Sequence, residues 1–251
     1  MEILIASALV YWCIDEKKGF HLGIVLLISL WLNLALKNLF VQIDFLDHGS
    51  FPSVYAQNSL VLLLLTASWF KKKWLFIPAA VLILLTGFCL YFWDIILPAN
   101  ILAGWIVGVI IFCVYFFAEK KTDTFISSHP PRIGMISASA LAFAMILYRP
   151  SPFMLMPAGA LFGIGFAYRL LKKYAKDSRN AGRLVFLFLR FALGIFPLGL
   201  FYFFYNDFLT LIGQTGNYEL IIFISSVLVS LWVFAGIPLV LGKLQRSKTN
   251  D

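Results

Sequence analysis

An all-α, polytopic transmembrane helix bundle of eight to nine spans is what this sequence predicts, on three observations. Of 251 residues, 61% are hydrophobic and only 13% are charged, against about a quarter charged in an ordinary soluble domain. Mean hydropathy is +0.90, and 26 Phe and 7 Trp add apolar surface that a soluble globule of this size has too little interior to hide. The apolar residues also fall in runs close to the roughly 20 residues a helix needs to cross a bilayer core. These features exclude a water-soluble enzyme, a disordered chain and a disulfide-stapled secreted domain. A membrane β-barrel is excluded too, because short alternating strands and aromatic girdles are missing.

The spans follow in order along the chain. Ile3–Ile14 is apolar but short; a helix from Met1 to Ile14 is about 21 Å long and would need local thinning of the bilayer or shelter by neighbours. Gly19–Phe40 is a full span, and Val54–Phe70 is the next. Trp74–Leu97 and Ala99–Ala118 follow with almost no gap. Ile133–Leu147 and Phe153–Leu171 form another pair, and Leu184–Phe204 and Leu220–Leu241 finish the chain. Eight of these are full spans and the first is the weak one. No cleavable signal peptide is evident, since Met1-Glu2-Ile3 lacks a basic start and no small-residue cleavage site follows Trp12.

Charge sets the orientation. Of the 20 Lys and Arg residues, all but Lys37, Arg149 and Arg190 fall on one side of this arrangement. Such asymmetry makes that side, with the C-terminus, cytoplasmic. The net charge of +8 and pI near 9.4 therefore reflect topology and anionic headgroups, and no nucleic-acid partner is expected. Arg190 lies inside a span and calls for a partner such as Asp207 or Glu219, or must snorkel. Cys13, Cys89 and Cys113 all sit in apolar runs without CxxC spacing, so they read as buried structural thiols. Gly159, Gly163 and Gly165 suggest close helix contact, and Trp69 and Trp74 flank the Lys71–Lys73 turn as an interfacial belt would.

Polar residues collect at the outer ends of the second to fifth spans. Lys37, Asn38, Gln42, Asp44, Asp47 and His48 follow the second span. Ser53, Tyr55, Gln57, Asn58 and Ser59 open the third. Asp94 and Asn100 lie in the turn between the fourth and fifth. Polar groups at membrane depth mark sites by default, although Ser53 and Asn100 each fit a helix N-cap equally well. His21, His48 and His129 are scattered. No HExxH, GxSxG or phosphate-cradling glycine loop appears, so neither a metal nor a cofactor is indicated.

Several stretches together resemble one family. They are Tyr11-Trp12-Cys13-Ile14-Asp15, Ser29-Leu30-Trp31-Leu32-Asn33 with Leu36-Lys37-Asn38-Leu39-Phe40, Ser50-Phe51-Pro52-Ser53 with Ala56-Gln57-Asn58, and Leu102-Ala103-Gly104-Trp105-Ile106-Val107-Gly108. They resemble the type 2 phosphatidic acid phosphatase superfamily of membrane lipid phosphatases, most of all a bacterial branch with extra C-terminal helices. The similarity continues through Gly159–Tyr174 and Leu189–Leu241. It implies a phosphatase-like core over 1–121, additional C-terminal helices over 122–251, and the bacterial cytoplasmic membrane with the motif face outside. Since that branch begins further upstream, the resemblance also implies an N-terminally trimmed chain.

Three motifs carry the family's chemistry, and this chain departs from each. The first is a Lys with Arg-Pro seven residues on; Lys37 is kept, but Asp44 and Phe45 occupy the Arg-Pro positions. The second, Pro-Ser-Gly-His, reads Pro52-Ser53-Val54-Tyr55. The third is an Arg, a His six residues later and an Asp four after that; the register set by Pro98 and Gly104-Trp105 puts these at Leu90, Ile96 and Asn100. The resemblance implies that the third-motif His takes the phosphoryl group, the second-motif His protonates the leaving oxygen, and the cations clamp phosphate. Ile96 cannot be a nucleophile, Leu90 cannot hold phosphate, and Asp44 would repel it. Tyr55 is a poor acid, with an unperturbed pKa near 10.

The expectation is therefore a catalytically inactive family member with no catalytic residue. It would bind a membrane lipid of phospholipid or polyprenyl phosphate type, or a membrane-protein partner, through Lys37, Ser53, Tyr55, Asn100, His48 and Asp94. Two alternatives stand beside it. One is a lipid translocator or its subunit, for which the polar vestibule argues and the lack of an obvious inverted repeat argues against. The other is an active phosphatase rebuilt on Tyr55, Asp94, Asp44 or His48.

Overall fold

The computed structural model describes residues 2–13, 15–42, 51–70, 72–93, 96–148, 152–174, 192–194, 196–197, 199 and 218–240. Every regular element among them is helical: α1 (Glu2–Cys13), α2 (Glu16–Gln42), α3 (Val54–Trp69), a 3-10 turn (Lys73–Leu75), α4 (Phe76–Trp93), α5 (Pro98–Ser128), α6 (Pro131–Tyr148), α7 (Pro152–Tyr174), α8 (Tyr218–Leu231) and a π-helical turn (Trp232–Gly236). Six helices are long and apolar enough to cross a membrane: Glu16–Phe40, Lys73–Trp93, Pro98–Thr124, Pro131–Tyr148, Phe153–Lys172 and Tyr218–Val240. Val54–Trp69 falls short at 16 residues and α1 at 12. The expected count of eight to nine thus stands at six among the described residues, and the expected span Leu184–Phe204 lies mostly outside them.

Exposure fits hydrocarbon rather than water as the solvent. Lys73–Trp93 and Pro98–Thr124 have mean hydropathies of 2.4 and 2.5, yet only 22% of each apolar stretch is buried. Large side chains such as Phe88, Trp93, Ile106 and Phe117 point outward. Lipid removes the cost of such surface, and a helix bonds most of its backbone polar groups internally. The same solvent explains a correction. Cys89 is only half-buried and Cys113 is exposed, so neither is the core thiol expected. An apolar run at membrane depth faces lipid as readily as protein.

The chain forms two compact units, one of residues 1–24 with 126–251 and one of residues 25–125. In the first, Asp15 caps α2 by accepting from the Lys17 and Lys18 amides at 2.8 and 3.1 Å. Gly19 lets α2 turn back against α1, since a Cβ there would collide with the Tyr11 backbone. The α7 glycines meet their neighbours as expected. A Cβ at Gly159 would lie 2.6 Å from the Phe223 carbonyl, one at Gly163 would collide with Ser230, and one at Gly165 would lie 2.7 Å from the Ala138 Cβ. Phe234 fills the centre. Its ring is edge-on to Tyr11 at 5.1 Å and to Phe20 at 5.8 Å.

The π-helical turn has a partner in α1. The Tyr11 hydroxyl donates to the Phe234 carbonyl and the Trp12 indole to the Val233 carbonyl, each at 3.0 Å. A π-turn shifts the backbone ladder by one residue, and these two side chains supply donors to carbonyls within it.

In the second unit, α5 lies against α3. Gly104 and Gly108, one turn apart, face it: a Cβ would come 2.5 Å from the Ser53 carbonyl at the first and 3.0 Å from the Gln57 carbonyl at the second. Small residues at this spacing let two spans approach backbone to backbone. The helix extends well past Ala118, through Glu119, Lys120 and Lys121 to Ser128. Glu and Lys are good helix formers once out of the bilayer, and Pro130 follows the end. Trp69 is tied to this extension, its indole donating to Glu119 at 3.1 Å.

Candidate functional site

The second and third motif positions converge within residues 25–125. Ser53 is the N-cap of α3, its hydroxyl accepting from the Ala56 amide at 3.4 Å. Its own amide donates to the Asn100 carbonyl at 3.0 Å. The Ile96 amide donates to the Leu90 carbonyl at 3.3 Å, closing the chain as it leaves α4. Asn100 is not an N-cap, the alternative its position allowed. The helix begins at Pro98, where a missing N–H costs nothing, and the Asn100 amide already bonds the Leu97 carbonyl at 2.9 Å.

The side chains at these positions pack as hydrocarbon. Leu90, Ala56 and Ile101 form a buried apolar cluster, with Ile96 and Trp105 against it. Trp105 also covers Gly87 of α4, where a Cβ would meet the ring at 2.5 Å. The Trp105 indole N–H is buried with no hydrogen-bond partner. Ser53 and Asn100 are buried, whereas Tyr55 is 53% exposed. His48, Asp94 and Asp44 lie outside the described residues.

Beneath Pro52 and Ser53 runs a polar ladder that the sequence did not disclose as one. Ser29 and Asn33 stand one turn apart on α2 and so share a face. Asn33 donates from Nδ2 to the Pro52 carbonyl at 3.2 Å and to Gln57 Oε1 at 2.8 Å. Gln57 donates from Nε2 to the Ser29 carbonyl and hydroxyl, both at 2.8 Å, and the Ser29 hydroxyl donates to Asn58 Oδ1 at 2.6 Å. All four side chains are buried. Asn33 Oδ1 is buried without a partner. Gln57 and Asn58, grouped by sequence with the outward polar ends, face α2 instead. The signal available was the pair Ser29 and Asn33 at helical spacing in an apolar run. Lys37 follows Asn33 by one more turn and is half-buried.

Residues 155–249 match the family model described as PAP2 superfamily phosphatase, transmembrane extension. That segment, 95 of the 251 residues, is similar to a PAP2-superfamily transmembrane extension. Among the described residues this extension comprises α7 from Leu155, α8 and the π-helical turn. The described residues also hold six helices long and apolar enough to cross a membrane, which fits an integral membrane protein. No curated relative and no solved structure matches the chain. The motif positions, from Lys37 to Asn100, lie before the matched extension.

Proposed function

We propose that this chain is a non-catalytic PAP2-like membrane protein. Its motif face would bind a membrane lipid of phospholipid or polyprenyl phosphate type, or dock a membrane-protein partner. One observation carries the reading: Leu90 and Ile96, at the positions of the family's arginine and nucleophilic histidine, pack with Ala56, Ile101 and Trp105 in an apolar cluster. Phosphoryl transfer needs a nucleophile and cations around developing negative charge, and hydrocarbon supplies neither. The retained backbone bond between Ser53 and Asn100 supports a frame kept for binding. The buried, unpartnered Trp105 N–H offers a neutral donor to a headgroup oxygen.

In this proposal, residues 1–121 form the phosphatase-like core and 122–251 the appended helices, in a bacterial cytoplasmic membrane. The basic loops face the cytoplasm and the motif face lies outside, as the Lys and Arg asymmetry supports. No nucleic acid is involved. Two measurements test it. The purified chain is expected to release no phosphate from phosphatidic acid or a polyprenyl phosphate, and turnover abolished by Tyr55→Phe would overturn the reading. Native mass spectrometry from the source membrane is expected to retain one lipid or one protein partner, and Lys37→Ala is expected to weaken it.

A further inference from the structure

An open apolar groove of about 480 Å³ lies along α6 in the unit that holds α6, α7 and α8. Met135, Ser139, Phe143 and Ile146 of α6 line it, with Phe162 of α7 and Phe223 of α8; Ser139 is its one polar side chain. The volume is that of a ligand pocket, which typically holds about 300–1,000 Å³. From Met135 to Ile146 the helix rises about 16 Å, roughly half of a hydrocarbon core about 30 Å thick. The groove therefore has the length of one leaflet.

Its Met135 end is basic. Arg169 Nη1 lies 3.5 Å from Met135 Sδ, so a guanidinium stands where the groove begins. Arg132 precedes Met135 by one turn of α6. Lys172 follows Arg169 by one turn of α7, with its ammonium 5.6 Å from the Tyr168 ring centroid. That ring abuts Gly134, where a Cβ would come within 3.2 Å. Thus α6 and α7 bring three cations to one end of one groove. None of the three makes an ion pair among the described residues.

We propose that this is a binding site for one anionic phospholipid, with its phosphate on Arg169, Arg132 and Lys172 and an acyl chain along the groove. A soluble anion would account for the cations and leave the groove unexplained. A neutral lipid would fill the groove and leave the cations unsatisfied. Met135 belongs to both features, which puts them within reach of a single amphiphile whose head is negative. The site is separate from the motif positions and does not rest on the function proposed for them.

The test is native mass spectrometry of the full chain in micelles carrying equal amounts of dioleoylphosphatidylglycerol and dioleoylphosphatidylcholine. One phosphatidylglycerol is expected to be retained in preference. Arg169→Gln is expected to cut that preference about fivefold, the worth of one basic residue at an anionic surface, and Arg169→Lys to restore most of it. Ser139→Phe, which fills the groove, is expected to lower retention of both lipids. Equal retention by the unsubstituted chain, or a preference that survives Arg169→Gln, overturns the proposal. Should a substituted chain fail to fold, phosphatidylglycerol with a diazirine on its acyl chain decides the matter on the unsubstituted protein. Crosslinks at 135–146 or Phe162 support the site, and crosslinks confined to other segments overturn it.

Discussion

The amide of Ser53 donates to the carbonyl of Asn100 across 3.0 Å. One bond through the backbone thus joins the second motif position to the third, whatever side chains they carry. The apolar side chains of Leu90 and Ile96 nearby take no part in it.

Gly104 lets α5 come close to that bond, because a Cβ there would stand 2.5 Å from the Ser53 carbonyl. Gly104→Val is expected to destabilise the fold by about 1–3 kcal/mol, the usual cost of overpacking. Reversible unfolding in mixed micelles measures it, and Ala103→Val, at a half-buried neighbouring position, is expected to cost less.

Gln57 sits at the junction of the buried ladder, with bonds to both Ser29 and Asn33. Gln57→Leu is expected to cost about 1–2 kcal/mol, because interhelical hydrogen bonds within membranes are each worth roughly 0.6–1.7. Ser59→Ala, which removes only a bond to the Ala56 carbonyl of its own helix, is expected to cost less in the same titration.

Restoring a charge to the motif cluster should be expensive. Leu90→Arg places a guanidinium beside Ala56 and Ile101, and a basic residue at membrane depth costs about 2.5–3.5 kcal/mol. Loss of folded protein in detergent, without any gain in phosphate release, is the expected outcome. Activity appearing with this single change would show that the pocket is still formed.

The exposed thiol of Cys113 lies mid-span on α5. The hydrocarbon around a mid-span position keeps water-soluble reagents away. Water-soluble maleimides are expected to leave it unmodified in intact membranes and to label it only after unfolding in SDS.

The helical class and the boundaries of α2, α6 and α7 were legible because apolar runs at membrane depth need no tertiary context to be recognised. The close contacts of Gly159 and Gly163 were legible for a similar reason: small residues one turn apart have few other uses in a span, and Gly165, two residues on, meets α6 instead. Partnering was not legible. Gln57 and Tyr55 are two residues apart and equally polar on paper, yet one is wholly buried against α2 and the other faces out. The rotation of α3 decides this, and an all-round apolar helix gives no moment from which to read rotation. The fate of Cys89 and Cys113 was hidden in the same way. Beyond Ala118, the helical continuation of α5 was missed because its charged residues mark the end of a span, which is not the end of a helix.

The clasp of Tyr11 and Trp12 on the π-helical turn has a consequence in time. Tyr11 and Phe234 are 223 residues apart in the chain. At about 5–20 residues per second of synthesis, the first helix waits roughly 11–45 s for the carbonyls it bonds. Those two bonds are therefore late events, and a ribosome stalled before Val233 would leave Tyr11 and Trp12 without them.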